Sequence, residues 1–378
     1  MIEERDDERA FRRANIACIA LLATPHPSLP LKGGGEKGEA VSFLNIVRRR
    51  LLLLVLVVVG VSIVTFVISH MIPGDPARMM AGERASNEVV AQMRAKLGLD
   101  RPLYEQYLTY AGDLLSGDLG ISIRTQRPVA DDILRFFPAT IELALAAMIF
   151  AIALGIPLGV ISAVAKDRAI DQITRTLSVT GISTPAFWLG LLLIYFFYGR
   201  LGILPGSGRI DSAIAPPPFV TGFYTLDALF AGDGKAFVSA VQHLLLPGIT
   251  LGFLHLGIVT RQIRSAMLEV LTEDYIRTAK ASGLSRRRIL FDHALRNALI
   301  PSVTMIGLAF GDLLYGAVLT ETVYAWPGMG NYVVQSINAL DFPAIMGFTV
   351  VASTAYVLLN LFVDLTYMLL DPQIRGVG

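Results

Sequence analysis

This sequence is short of charge, of cysteine and of any catalytic apparatus, and each shortage removes a class of function. Asp, Glu, Lys and Arg make up 17% of the 378 residues, against about 25% in a soluble globular domain. A soluble enzyme of this length is therefore excluded. Cys18 is the only cysteine, so there is no internal disulfide. No nucleotide-binding or catalytic motif occurs anywhere in the chain. The five histidines, His26, His70, His243, His255 and His293, are scattered, so nothing suggests the convergent His and carboxylate groups of a membrane-embedded hydrolase. No internal repeat is evident, which counts against an ion-driven secondary transporter built on paired halves.

What the chain has instead is apolar length. A bilayer crossing takes about 20 apolar residues, and runs of that order recur at 51–70, 139–163, 177–198, 244–260, 302–320 and 344–370. Backbone groups in lipid must be satisfied within the span, and the runs are continuous rather than alternating, so these are helices. The fold class is an all-α polytopic membrane protein with six transmembrane helices and a cytosolic helix between the fourth and fifth.

The first 41 residues differ in composition. The stretch Thr24-Pro-His-Pro-Ser-Leu-Pro-Leu-Lys-Gly-Gly-Gly-Glu-Lys-Gly38 is low-complexity, as in a disordered segment. The run 16–23 behind Arg12-Arg13 is short for a signal peptide. Residues 1–41 read as a disordered or mis-called extension, and a start at Val41 would account for the change.

Orientation follows from basic residues. Arg48-Arg49-Arg50 abuts the first run, and Lys166, Arg168 and Arg175 follow the second. Eight Lys and Arg lie between 261 and 296, and 321–343 has none. The positive-inside rule then puts both termini and the segment 261–300 in the cytoplasm, with 71–138, 199–243 and 321–343 outside. Within 71–138, residues 87–97 and 104–115 read as short amphipathic helices, and Gly117-Asp-Leu-Gly-Ile-Ser122 as a turn.

The cytosolic segment is the most telling. Glu273-Asp-Tyr-Ile-Arg-Thr-Ala-Lys-Ala-Ser-Gly-Leu284 leads into Ser285-Arg-Arg-Arg288 and His293-Ala-Leu-Arg-Asn-Ala-Leu-Ile-Pro301. Acid early and base late suits a helix dipole. Gly283 is a natural helix terminator. Ala279, Ala281 and Gly283 suggest a small-residue stripe open to another surface. A short helix of this kind either fits a partner's groove or is an ordinary basic loop.

At these residues the chain resembles the permease subunits of ATP-binding-cassette importers, in the dipeptide/oligopeptide branch and its first-type membrane subunit. That family's coupling motif has the form Glu-Ala-Ala-x-x-x-Gly with a later Ile-x-Leu-Pro. Here the glycine is Gly283, the first three positions are Arg277-Thr278-Ala279, and the Leu-Pro position is Leu295-Arg296, departures that match the peptide branch. His70-Met-Ile-Pro-Gly-Asp-Pro76, Ala81-Gly-Glu83, Leu97-Gly-Leu-Asp100, Gly117-Asp-Leu-Gly-Ile-Ser122, Thr320-Glu-Thr-Val-Tyr324, Trp326-Pro-Gly-Met-Gly330, Val363-Asp364 and Asp371-Pro372 carry the same resemblance across about 43–376.

The resemblance implies a permease domain at 42–378 that moves dipeptides or short oligopeptides across a bacterial inner membrane. It implies a heterodimer with a second permease, two cytosolic ATPase subunits and a soluble peptide-binding protein outside that docks on 71–138. ATP and Mg would be bound by the ATPases, and no cofactor, metal or nucleic acid by this chain. Glu273, Asp274, Tyr275, Arg277, Thr278, Ala279, Lys280, Ala281, Gly283 and Leu284 would couple to the ATPases. Nickel, glutathione or another small solute are the alternative cargoes.

Polar residues in or near the apolar runs are Glu142, His255, Asp312, Asn360 and Asp364. An ionisable group in a membrane is by default a functional candidate. Glu142 and Asp312 are the candidate translocation-pathway residues. The competing reading for Glu142 and Asp364 is helix capping, and for His255 a hydrogen-bonded packing role. Trp326 and the turn after it read as either an interfacial anchor or a substrate contact.

Overall fold

Unbroken apolar stretches with few charges leave the backbone no hydrogen-bonding partner but itself, and the chain answers with helices. The computed structural model describes residues 43–71, 76–82, 84–96 and 98–370, all within one compact unit, 42–376. The expectations for 1–41, for most of the His70–Pro76 motif and for Asp371-Pro372 lie outside the described residues, as does the side chain of Asp364.

Fourteen helices are described. The helix α1 is Phe43–Met71. Three short helices follow: α2 at Pro76–Ala81, α3 at Asn87–Lys96 and α4 at Leu103–Leu115. Then come α5 at Val129–Val164, α6 at Ala169–Ser183, α7 at Ala186–Leu193 and α8 at Tyr224–Phe230. The long α9 is Gly234–Val270, followed by α10 at Asp274–Ala281 and α11 at Arg286–Arg288. The last three are α12 at Arg296–Val323, α13 at Met329–Asn338 and α14 at Phe342–Leu370. Turns of π-helix continue α7 through Ile194–Arg200 and join α11 to α12 through Ile289–Leu295. There is no sheet among the described residues, only an isolated bridge between Ile121 and Pro128.

Four helices are long and apolar enough to cross a membrane, and six spans result if two bent helix pairs each count as one. The expected third span, 177–198, is not one continuous helix. It is divided between α6 and the α7 arm, which meet at 104°. The cause is Pro185. Proline cannot donate a backbone hydrogen bond and pushes the residue before it out of helical conformation, and Thr184 is extended, with φ −83° and ψ 123°. Each arm has 15 residues, about 22 Å of helix, less than the roughly 30 Å hydrocarbon thickness. The expected external helices are present as α3 and α4. The latter packs on α1 through Tyr107, whose ring lies 5.4 Å from Phe66 and whose hydroxyl bonds Ser62 at 3.0 Å.

The framework is the pair α5 and α9. Small residues let their backbones approach, as is common between membrane helices. A Cβ on Gly159 would stand 2.7 Å from the Ile263 Cβ, and one on Gly252 would stand 2.5 Å from the Ala147 carbonyl oxygen. Around this contact one apolar cluster gathers Leu143, Ala147, Leu251, Leu313 and Trp326. A second gathers Val160, Ala163, Ile263 and Met267 with residues of the α10 region.

Gly252→Val should therefore separate α5 from α9. Overpacking of this kind costs about 1–3 kcal/mol or more, and the yield of folded protein and its melting temperature in detergent should both fall. Gly60→Val, at a position where an added Cβ meets nothing within 4 Å, is the control. Equal behaviour of the two variants would show that the α5–α9 contact is not the framework.

Candidate functional site

The α10 region is built in layers. Its inner face is apolar: Ile276 is fully buried and Ala279 is buried, both within the cluster formed by the ends of α5 and α9. Ala294 and Ala298, from the His293-Ala-Leu-Arg-Asn-Ala run, close the same cluster and are fully buried. The two sequence motifs are thus parts of one packing unit. A hydrogen bond from Asn297 Nδ2 to the Tyr275 hydroxyl, 2.7 Å, joins them at the surface.

The outer face of α10 is polar and open. Glu273, Asp274, Tyr275, Arg277, Thr278, Lys280 and Ala281 are exposed. Arg277 pairs with Asp274 at 3.0 Å, both in solvent, where such a pair adds little stability. The expected small-residue stripe is not one face. Ala279 points into the chain's own core while Ala281 and Gly283 are exposed, because residues two apart on a helix do not share a face.

The end of α10 is a Schellman cap. The Gly283 N–H bonds the Lys280 carbonyl at 3.1 Å and the Leu284 N–H bonds the Ala279 carbonyl at 3.3 Å. Gly283 has φ +76° with open space where a Cβ would be. A side chain there is opposed by backbone conformation, not by crowding. Leu284 folds back against the apolar cluster. Beside it a cleft of about 400 Å³ has an apolar floor of Ala163, Val164 and Ile289, with Lys280 and Arg286 also lining it.

A buried clamp at this same end was not legible in the sequence. Arg264 on α9 grips Asp171 on α6 through two hydrogen bonds of 2.8 Å. The Ser162 hydroxyl and the Asp167 N–H complete the shell of Asp171, at 2.5 and 3.0 Å. The clamp holds the ends of α5, α6 and α9 together directly beside α10.

The opposite end of the bundle is locked by buried carboxylates. Glu142 is buried and ion-paired with Arg209. Its other oxygen accepts from the Thr225 N–H and hydroxyl at 2.9 and 2.7 Å. Arg209 also donates to the Gly222 carbonyl at 2.9 Å and stacks 3.8 Å above the Tyr224 ring. The pathway expectation for Glu142 is therefore corrected: its oxygens are spent on pinning the 209–225 loop to α5. In the same loop, burial works to raise the Asp227 pKa. Hydrogen bonds from the Thr221 N–H and hydroxyl and from the Val220 and Gly222 N–H groups outweigh it and hold the carboxyl below its usual range.

Glu321 explains the Trp326-Pro-Gly-Met-Gly330 motif. Fully buried, it accepts from the Thr140 hydroxyl at 2.6 Å and the Asn331 N–H at 3.0 Å, so its carboxyl sits at the start of α13. A Cβ on Gly328 would collide with this carboxylate, and one on Gly330 would lie 2.5 Å from the Val318 Cα. Trp326 is 1% exposed and donates to the Ala139 carbonyl at 2.9 Å. It is a core residue rather than an interfacial anchor.

Asp312, unlike Glu142 and Glu321, is not enclosed by the fold. It is exposed on α12, in line with Pro301, Met305, Leu308, Gly316 and Leu319, which are exposed along the same face. His255 is buried behind it on α9. Among the described residues no group of three or more His, Cys, Asp or Glu is arranged to hold a metal.

Breaking the Glu142–Arg209 pair should be costly, because a buried charge is left without its partner. Arg209→Ala should lower stability by about 3–5 kcal/mol, read as a drop in melting temperature in detergent. Arg209→Met with Glu142→Leu should recover most of the loss. A melting temperature unchanged by Arg209→Ala would show that the 209–225 loop is held by something else.

Comparison with known proteins follows the same layout. Residues 43–144 match the N-terminal part described as a binding-protein-dependent transport system membrane component. Residues 155–376, more than half the chain, match the binding-protein-dependent transport system inner membrane component. The chain is 62% identical over 339 residues to the probable D,D-dipeptide transport system permease protein DdpB of Escherichia coli K12, covering 89% of this chain and 100% of that one. It is 44% identical over 337 residues to the dipeptide transport system permease protein DppB of the same strain, 88% of this chain and 99% of that one. It is 40% identical over 332 residues to the glutathione transport system permease protein GsiC of Escherichia coli O6:H1, 88% of this chain and 99% of that one. With the helical bundle and both ends of its polar framework accounted for, the chain belongs to the family of binding-protein-dependent transport system inner membrane components.

Proposed function

We propose that this chain is a permease subunit of a dipeptide importer, working with a second permease, two cytosolic ATPase subunits and an external binding protein. The observation that carries the reading is the construction of α10. Its inner face is sealed into the ends of α5, α9 and α12, and its outer face is polar and exposed. A force applied to that outer face is passed to three long helices as a unit. Closure of ATP-bound partners on α10 is such a force. A few kcal/mol of differential binding is enough to shift a two-state bundle between inward and outward access.

The chain itself carries no catalytic role in this scheme, and ATP and Mg belong to the partners. The basic residues from 261 to 296 put α10 in the cytosol with both termini. The segment 71–138 is the docking surface for the binding protein. Higher identity to the dipeptide permeases than to the glutathione permease favours a dipeptide cargo, and the 62% relative favours a D,D-dipeptide. Competition of uptake by D-Ala-D-Ala, L-Ala-L-Ala, glutathione and a nickel chelate tests the cargo. Suppression by glutathione or nickel and by neither dipeptide would refute it.

Gly283→Asp should reach the membrane, because the site has open space and lies outside the spans, yet lose uptake and retain less ATPase on co-purification. Arg287→Ala, exposed at the same surface, should behave like the parent protein. Normal transport by Gly283→Asp with ATPases bound would remove α10 from the coupling role. For orientation, a membrane-impermeant thiol reagent added to intact cells should label Ser212→Cys and not Ser285→Cys. The reverse pattern would invert the topology.

A further inference from the structure

Among the buried side-chain atoms with no hydrogen-bond partner among the described residues is one nitrogen of His255. His255 is 5% exposed and lies on α9. Its Nδ1 faces the Leu251 carbonyl at 3.4 Å, and its Nε2 has no partner among the described residues. A carbonyl only accepts, so Nδ1 is the nitrogen that carries the proton and Nε2 presents a lone pair. Asp312 interacts electrostatically with this ring and is itself exposed on α12. No hydrogen bond or ion pair engages its carboxylate among the described residues. A carboxylate and an imidazole nitrogen without hydrogen-bond partners are therefore carried on two packed helices, α9 and α12, whose Leu251 and Leu313 share one apolar cluster.

The surrounding face tells what Asp312 looks onto. Met305, Leu308, Gly316 and Leu319 are exposed along the same stripe of α12, and Asp312 sits about 24 Å of helix from Arg296. A carboxylate at that depth is costly against lipid and belongs in a protein interior or a water-filled passage. A carboxylate beside a lone-pair nitrogen is the complement of an ammonium group, which has three N–H donors and no acceptor.

We propose that Asp312, with His255 behind it, forms a cation-selective station in the translocation passage that receives the free α-ammonium group of the peptide. The inference rests on the importer reading and deepens it by naming the chemical group recognised. Asp312 is open in this conformation. The Nε2 atom of His255 is covered, so it becomes the second acceptor as α9 and α12 shift between access states. The station selects for a free amino terminus and against anions, independently of any selection made by the binding protein.

The test uses inside-out vesicles of the native membrane carrying the assembled transporter, in a Cys18→Ser background. Leu308→Cys, one turn from Asp312, is reacted with a cationic and an anionic methanethiosulfonate of similar size. The cationic reagent should react faster, and Asp312→Asn should lower the cation-to-anion rate ratio about tenfold, as expected for loss of one nearby charge outside bulk water. Asp312→Glu should keep the ratio. In intact cells, dipeptide uptake should fall at least tenfold in Asp312→Asn and be retained in Asp312→Glu, with ATPase subunits still co-purifying and still stimulated by loaded binding protein. A residue 308 inert to both reagents, or a ratio unmoved by Asp312→Asn, overturns the station while leaving the importer reading intact. Absence of co-purifying ATPases in the parent protein would instead overturn the importer reading itself.

Discussion

The close approach of α5 and α9 is the constraint on which the rest of the molecule depends. Gly159 and Gly252 bring the two backbones within reach of each other's side chains and carbonyls. Without water to drive apolar surfaces together in lipid, helices associate through packing of this kind. Once that pair is set, the positions of α6, α12 and α13 follow from what each can bury against it. Trp326 and Leu313 belong to one apolar cluster of the bundle, while Ile276 and Ala279 belong to a second.

Polarity is divided along the same axis. At one end Glu142, Glu321 and Asp227 are buried carboxylates, each enclosed by hydroxyls, backbone N–H groups or Arg209. At the end that carries α10, Asp171 plays the same part with Arg264. These groups tie loops and helix ends together. The stretch between them is largely apolar, and within it Asp312 is exposed and the Nε2 of His255 has no partner among the described residues.

The arrangement around α10 gives the molecule a handle. Its inner half is core and its outer half is surface, with a glycine cap at the point where the chain turns back. Tyr275 and Asn297 join the two motifs that flank the turn. The Asp171–Arg264 clamp binds the neighbouring helix ends.

Much of this was legible in the residues alone, and the division is physical. Hydropathy over 20 residues reports on the local solvent, so the long helices and their apolar character were readable, as were α3, α4 and the glycine cap at Gly283. Pro185 was visible too, but hydropathy is blind to direction, and 177–198 looked like one span instead of two arms at 104°. Glu142 looked like a pathway group because its partner Arg209 is 67 residues away. Thr140 and Glu321 are 181 residues apart, and no local pattern announces such pairings. By itself the sequence determined which segments must be helices and which must avoid water. Only the tertiary structure decided which charges are spent on holding those helices together and which stay exposed, because that depends on what stands opposite each side chain after the chain has folded.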